Sequence, residues 1–338
     1  MDANERLRDD LIRHAIYADR YADAQLKDIL KVLRSVVKDI EYRIASEPNV
    51  VTLAWLEQVK GWIEQQAEVF TSQLENGLKQ SIKDLITHEG ELFTKDMYRA
   101  IRLKVNYTIP APEVIERAIF AMPVDSGHLF DELMKKYDQL TKDYFISEIR
   151  AGIVSGEGTK EMVHRLSGET SLLSVQAASA ERMVRAVVMH TMNTTRVELY
   201  KANRDVIKSV QYVATLDTKT CPVCGTLDGK VWDLDEQHPN PPMHYNCRCV
   251  IAPITKSWRE LGIDKDEVPL SVRSSMNGYV PETMDYTEWL AKQSEKTQAE
   301  ILGPTRLKMY KQGVPIEKMV RNGKPLTIEE LRQKELFD

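Results

Sequence analysis

Thr220-Cys221-Pro222-Val223-Cys224, followed downstream by Pro241-Pro242-Met243-His244-Tyr245-Asn246-Cys247-Arg248-Cys249, contains every cysteine of a 338-residue chain. With His244 the thiols make five soft or borderline ligands, and His238 is a sixth candidate. A Cys-x-x-Cys pair sets two thiolates on one tight turn, and a second pair from a distant segment completes a tetrahedron, as in structural zinc sites. Cys247 and Cys249 are two apart, so on an extended segment they share a face and both could reach one ion. His244 competes for the same position, and the spacing leaves open which four of the five ligate. A pair of disulfides and plain buried thiols are the rival readings. Met1 to Arg20 is charged and lacks the apolar core of a secretory signal, which favours reduced thiols and zinc.

Around these ligands the residue pattern has a period of two. Val210 to Thr215 reads as a strand, Lys230-Val231-Trp232 as its hairpin partner, and Arg248 to Pro253 as a third strand. Asp228-Gly229 is a strong tight-turn signal. So small a β unit carries too little apolar sequence for a core of its own, and a bound metal would contribute folding energy directly.

The rest is helical in texture, so the expected class is mainly α with a small β unit (α+β). Leu26, Ile29, Leu30, Leu33, Val36, Val37, Ile40 and Ile44 form one apolar stripe, which Ser46-Glu47-Pro48-Asn49 ends. Leu56, Val59, Ile63, Phe70, Leu74, Leu78, Ile82 and Leu85 form a second. Two long amphipathic helices joined by a short turn pack antiparallel. Such stripes are core or coiled-coil seam before they are docking arms. Pro110 and Pro112 cannot both lie inside a helix, so a boundary is placed near Asn106.

Helices are then expected over Pro112–Phe120, Leu129–Ile153, from an N-cap at Thr159, and over Ser174–Asn203. Gly152, Gly156 and Gly158 resemble a phosphate loop only superficially, because no strand precedes them and no Walker lysine follows. His190 reads as a helix-surface or partner-packed residue. Lys256 to Pro281 reads as a partly extended connection, followed by short helices at Tyr286–Gln293 and Lys296–Leu302 and by a capping box at Thr327. The domains expected are a helical hairpin (1–105), a central unit ending in the Cys/His knob (106–255) and a C-terminal extension (256–338).

Hydrophobic residues make up 42% of the chain, enough for a substantial core, and no stretch approaches the ~20 apolar residues of a membrane span. The expectation is a soluble protein without a membrane partner. A net charge of -5 argues against a general nucleic-acid coat.

Taken together, Thr220-Cys221-Pro222-x-Cys224, the Leu227-Asp228-Gly229-Lys230-Val231 turn, Pro241-Pro242 and His244-x-Asn246-Cys247-Arg248-Cys249 resemble the head-morphogenesis family of tailed bacteriophages named for the Mu protein F. The resemblance is sharpest over Gly152–Pro253. Members often carry Arg-Thr-Glu in the preceding helix. Here that region reads Met189-His190-Thr191-Met192-Asn193-Thr194-Thr195-Arg196, so no role of the missing acid is carried over. The family implies a minor head protein inside the capsid near the portal, assembled in the host cytoplasm. Its partners would be portal and other head proteins, with packaged DNA a further candidate and no small-molecule substrate. A role in head morphogenesis, DNA packaging or ejection follows from the resemblance alone.

Enzymatic readings fit less well. A zinc deaminase needs His-x-Glu before Pro-Cys-x-x-Cys, and neither element is present. A zinc-stapled nuclease built on Asp228, His244 and Asn246 wants a further histidine downstream, and none follows His244. A nucleic-acid-binding zinc knuckle would use Lys219, Lys230, Arg248 and Lys256, but Asp217, Asp228, Asp233, Asp235 and Glu236 balance them. The expected metal set is Cys221, Cys224, His244 and Cys247, with Cys249 the alternative fourth ligand. Asp228 and Gly229 are expected to set the hairpin turn, with Arg248 and Asn246 around the ligands.

Overall fold

A computed structural model of the chain describes residues 3–47, 51–101, 106–124, 127–264, 272–321 and 324–333. The architecture is mainly helical with small antiparallel sheets. Its first six elements are α1 (Ala3–Ala45), α2 (Leu53–Ile101), α3 (Pro112–Ala121), α4 (Phe130–Val154), α5 (Thr159–Ser167) and α6 (Leu172–Ala202). The chain divides into two compact units, and α1, α2, α3 and α6 contribute residues to both.

One unit comprises Ala18–Leu85 and Phe120–Val188. It buries the stripes expected from the sequence: Leu33, Ile40 and Ile44 of α1, and Leu56, Ile63, Phe70, Leu74, Leu78 and Ile82 of α2, are at most 1% exposed. Arg43 lies over the Trp62 ring at 4.7 Å, pairing the end of α1 with the start of α2. Arg185 of α6 reaches Asp19 and Asp23 of α1, at 2.8 and 2.7 Å. The N-cap of α5 is Gly158 rather than Thr159. Thr159 opens the helix itself, and the cap makes no side-chain hydrogen bond. Met162 and Leu166 form its buried face.

The other unit comprises Met1–Tyr17, Ile86–Ile119 and Met189–Asp338. Within it the start of α1 runs antiparallel to the end of α2: Arg6 donates to the Arg99 carbonyl, and His14 pairs with Glu89. Glu89 also receives Arg196 of α6 at 2.6 Å. His190 is buried at 1% exposure in the chain's own interior, with a ring nitrogen 2.9 Å from the Ile119 carbonyl, and so is not the surface residue expected as one alternative.

The three-stranded sheet has the order β2-β1-β3, with β1 (Ile207–Val213), β2 (Val231–Asp233) and β3 (Val250–Thr255). β2 pairs with β1 as expected, in a register that sets Val210 opposite Trp232, and β3 takes the other side of β1, with Tyr212 opposite Ile251. Between β1 and β2 lies a short helix, α7 (Pro222–Leu227), absent from the sequence reading.

The stretch expected to be a partly extended connection contains a β-hairpin of β4 (Val272–Ser275) and β5 (Gly278–Pro281). Then come α8 (Tyr286–Ala291), α9 (Glu295–Lys311) and α10 (Ile328–Gln333). α9 is kinked at Gly303, whose φ of 73° precedes Pro304, where the shorter sequence-expected helix stops. The capping box forms as expected: Thr327 Oγ1 accepts from Glu330 N at 3.2 Å, and Glu330 accepts from Thr327 N at 2.9 Å.

The first turn of α1 is tied to this late part of the sequence. Asn4 accepts from Thr255 N at 2.9 Å, Glu5 accepts from Val272 N at 3.1 Å, and Arg8 pairs with Glu282.

Candidate metal centre

α7 begins where the first ligand pair sits. Cys221 is its N-cap, with its sulfur 3.4 Å from Cys224 N, and Pro222 occupies the first helical turn, where its missing N–H costs nothing. The second ligand group arrives on a turn in which Cys247 N donates to the His244 carbonyl at 2.9 Å, just before β3. Cys224, Cys247 and Cys249 are 0–2% exposed and belong to the same apolar cluster as Tyr200, Tyr212 and Ile251. Cys221 and His244 are half-buried.

The ligand atoms form two groups that share Cys224: Cys221, Cys224 and His244, and Cys224, Cys247 and Cys249, each within 4.8 Å of one another. Cys224 Sγ lies 3.7 Å from Cys247 Sγ and 3.7 Å from His244 Nε2. A tetrahedral zinc with Zn–S bonds of about 2.3 Å separates its sulfur ligands by about 3.8 Å, so these spacings fit such an ion. None of the four cysteines is in a disulfide. The five expected residues lie in these two groups of three, each of which could hold a metal ion; the expected set of Cys221, Cys224, His244 and Cys247 is divided between them. His238 is in neither group; its Nδ1 donates to the Pro239 carbonyl at 3.2 Å, and its ring packs by Trp232.

The electrostatics of the cluster suit a cation. Hydrogen bonding from Cys224 pulls the Cys221 thiol down to about 5 against the effect of burial, and His244 adds to the pull. Hydrogen bonds from Cys224 and Cys249 hold Cys247 well below the usual thiol range. Hydrogen bonding with Cys221, Cys247 and Cys249 drives Cys224 upward. Cys249 is also raised: a hydrogen bond with Cys224 lowers it, but its bond to Cys247 and its burial outweigh that. The hydrogen bond to Cys221 raises His244. Two thiols thus lean toward thiolate while their neighbours hold the protons. A soft divalent ion would displace those protons and neutralise the buried sulfur charge.

The surrounding residues lock the two ligand turns. Tyr212, fully buried on β1, donates to Cys224 Sγ at 3.4 Å. Asn193 of α6 donates to the Cys249 carbonyl at 3.3 Å and accepts from Ile251 N at 3.1 Å, holding the entry to β3. Arg248 grips Asp217 at 2.6 and 2.8 Å, and Asp217 accepts from Thr220 N, beside Cys221. Asn246 is exposed.

Gly229 sits at φ 79°, where its N–H meets the Tyr212 carbonyl at 2.9 Å, so the hairpin turn uses glycine's left-handed freedom. Asp228 does more than turn the chain. Its buried carboxylate accepts from Ala214 N, Tyr286 N and both terminal nitrogens of Arg273.

Tyr212, Asn193, Arg273 and Tyr286 were not singled out from the sequence as site residues. The last two lie 45 and 58 residues beyond Asp228, with no local pattern to mark them. Gly225, directly after Cys224, was the available signal: a side chain there would strike the Tyr286 ring.

No helix among the described residues is long and apolar enough to cross a membrane. No curated protein and no solved structure matches the chain. The segment that carries the knob and its helical approach, residues 144–252, matches the family described as Phage Mu protein F like protein.

Proposed function

We propose that this chain is a minor head protein of a tailed phage, sited inside the capsid near the portal, with a structural role in head morphogenesis, DNA packaging or ejection. The observation that carries the reading is the overlap of the family match over 144–252 with the five-ligand knob at Cys221–Cys249. In this reading the ion is zinc, held by four of Cys221, Cys224, His244, Cys247 and Cys249, and its work is to rigidify a small irregular unit. Three buried sulfurs and an apolar surround suit a closed structural site over a catalytic one, which keeps an open position for water. The apolar stripes of α1 and α2 serve as this chain's own core, and segment 256–338 serves as an extension of the central unit.

The test is co-purification. Tagged chain expressed with the portal and major head proteins of its own phage should sediment with portal-containing procapsids and be absent from particles assembled without portal. A chain that stays in the soluble fraction would overturn the proposal. Metal-dependent plasmid cleavage lost in His244→Ala would replace it with the nuclease reading. Salt-sensitive retardation of DNA would favour the nucleic-acid knuckle.

A further inference from the structure

The C-terminal segment is built around the first ligand turn. Tyr286 is fully buried, and its hydroxyl donates to the Thr220 carbonyl at 3.0 Å, directly before Cys221. Its ring lies against Gly225, directly after Cys224, so closely that a Cβ on that glycine would stand 2.3 Å from the ring. One side chain from α8 therefore brackets the Cys221–Cys224 turn at both ends.

The backbone of the same residue is held by the knob in return. Tyr286 N donates to Asp228 at 2.9 Å. Arg273 of β4 adds two bonds to Asp228, and reaches the Met284 carbonyl at 3.0 Å and the Ala214 carbonyl at 2.9 Å. Asp228 thus joins the end of β1, the β4 strand and the start of α8.

α7 is six residues long, too short to hold a helical turn by its own hydrogen bonds. Beyond Tyr212, which donates to Cys224 Sγ, two things can fix it: an ion on its sulfur side and Tyr286 on the other. Two binding events that order one element must favour each other, and by thermodynamic reciprocity the effect is equal in both directions.

We propose that segment 272–291 is a clasp whose docking and the knob's metal binding stabilise each other, with Tyr286 as the positioning residue that couples them. The inference rests on the zinc reading of the knob. Loss of the ion loosens the turn, releases α8 and bares the face of α7 that the segment covers. Gain of the ion closes it.

Hydrogen exchange followed by mass spectrometry on the full chain, with zinc and after chelation, tests the coupling directly. Chelation should speed exchange of the α8 amides at least tenfold and leave those of α4 unchanged. In the reverse direction, Tyr286→Phe removes the hydroxyl's contacts with the Thr220 and Asp217 carbonyls, at 3.0 and 3.4 Å, worth about 0.5–1.5 kcal/mol as one net hydrogen bond, and should weaken zinc about two- to tenfold in competition with a chromophoric chelator. Unchanged exchange at α8, an equal rise throughout α4, or wild-type zinc affinity in Tyr286→Phe would each overturn the clasp. A wild-type chain that takes up no zinc would remove the metal reading and the clasp together. Zinc uptake with unaltered exchange would remove the clasp alone.

Discussion

The carboxylate of Asp228 receives the guanidinium of Arg273 at 2.9 and 3.2 Å, with the two side chains 0% and 6% exposed. A buried pair of this kind is costly to break from one side, because the remaining charge has no solvent to screen it. Asp228→Ala should lower stability by about 3–5 kcal/mol in urea unfolding. The double variant Asp228→Ala with Arg273→Met should recover part of that loss, since no unpaired charge then stays behind.

Cys224 is the ligand common to both groups. Cys224→Ser should abolish stoichiometric zinc in elemental analysis of reduced protein. Cys249→Ser and Cys247→Ser should differ from each other, and the one that keeps the metal identifies the sulfur outside the tetrahedron. Equal retention in all three variants would exclude a thiolate site.

Asp96 is 6% exposed on α2, and burial pushes its carboxyl up to about 6, against the pull of Arg196. In the unfolded chain it ionises near its ordinary value of about 3.9. The folded state therefore holds a proton the unfolded state has lost, and stability contributed by this group falls as pH rises from about 4 to about 6. Asp96→Asn should raise the melting temperature at pH 7 to 8, and the advantage should disappear below pH 4. The gain is at most about 3 kcal/mol, from two units at about 1.4 kcal/mol each. A melting-temperature difference that does not vary with pH would contradict this assignment.

Gly225→Ala forces a methyl group into the Tyr286 ring. Overpacking in a filled interior costs about 1–3 kcal/mol. Thermal unfolding should show that loss in the wild-type background, and a smaller one when Tyr286 is replaced by leucine. Equal losses in both backgrounds would place the strain elsewhere.

Much of this was legible because it is written at short range. The stripes of α1 and α2, the pairing of β1 with β2 and the capping box at Thr327 all follow from periods of 3.6 or 2, or from residues three apart. The five metal-ligand candidates were legible because sulfur and imidazole are rare and their spacing is distinctive. What stayed hidden lies across long loops. Nothing near Arg273 marks its pairing with Asp228, and nothing near Tyr286 marks Gly225 as its neighbour. α7 was missed because six residues are too few to show a helical period. No local pattern marks the polar residues around His190 as buried. In the fold, Thr191, Asn193, Thr194 and Thr195 are at 0% exposure.

The pairing of Asn4 with Thr255 spans 251 residues. A ribosome adding about 5–20 residues each second needs about 13–50 s to deliver the second partner after the first. Through that interval the bond between Asn4 and Thr255 cannot form. Contacts of such sequence separation slow the search for the native state. The contacts that join α1 to β3 and to the β4 hairpin therefore form only after those strands have emerged.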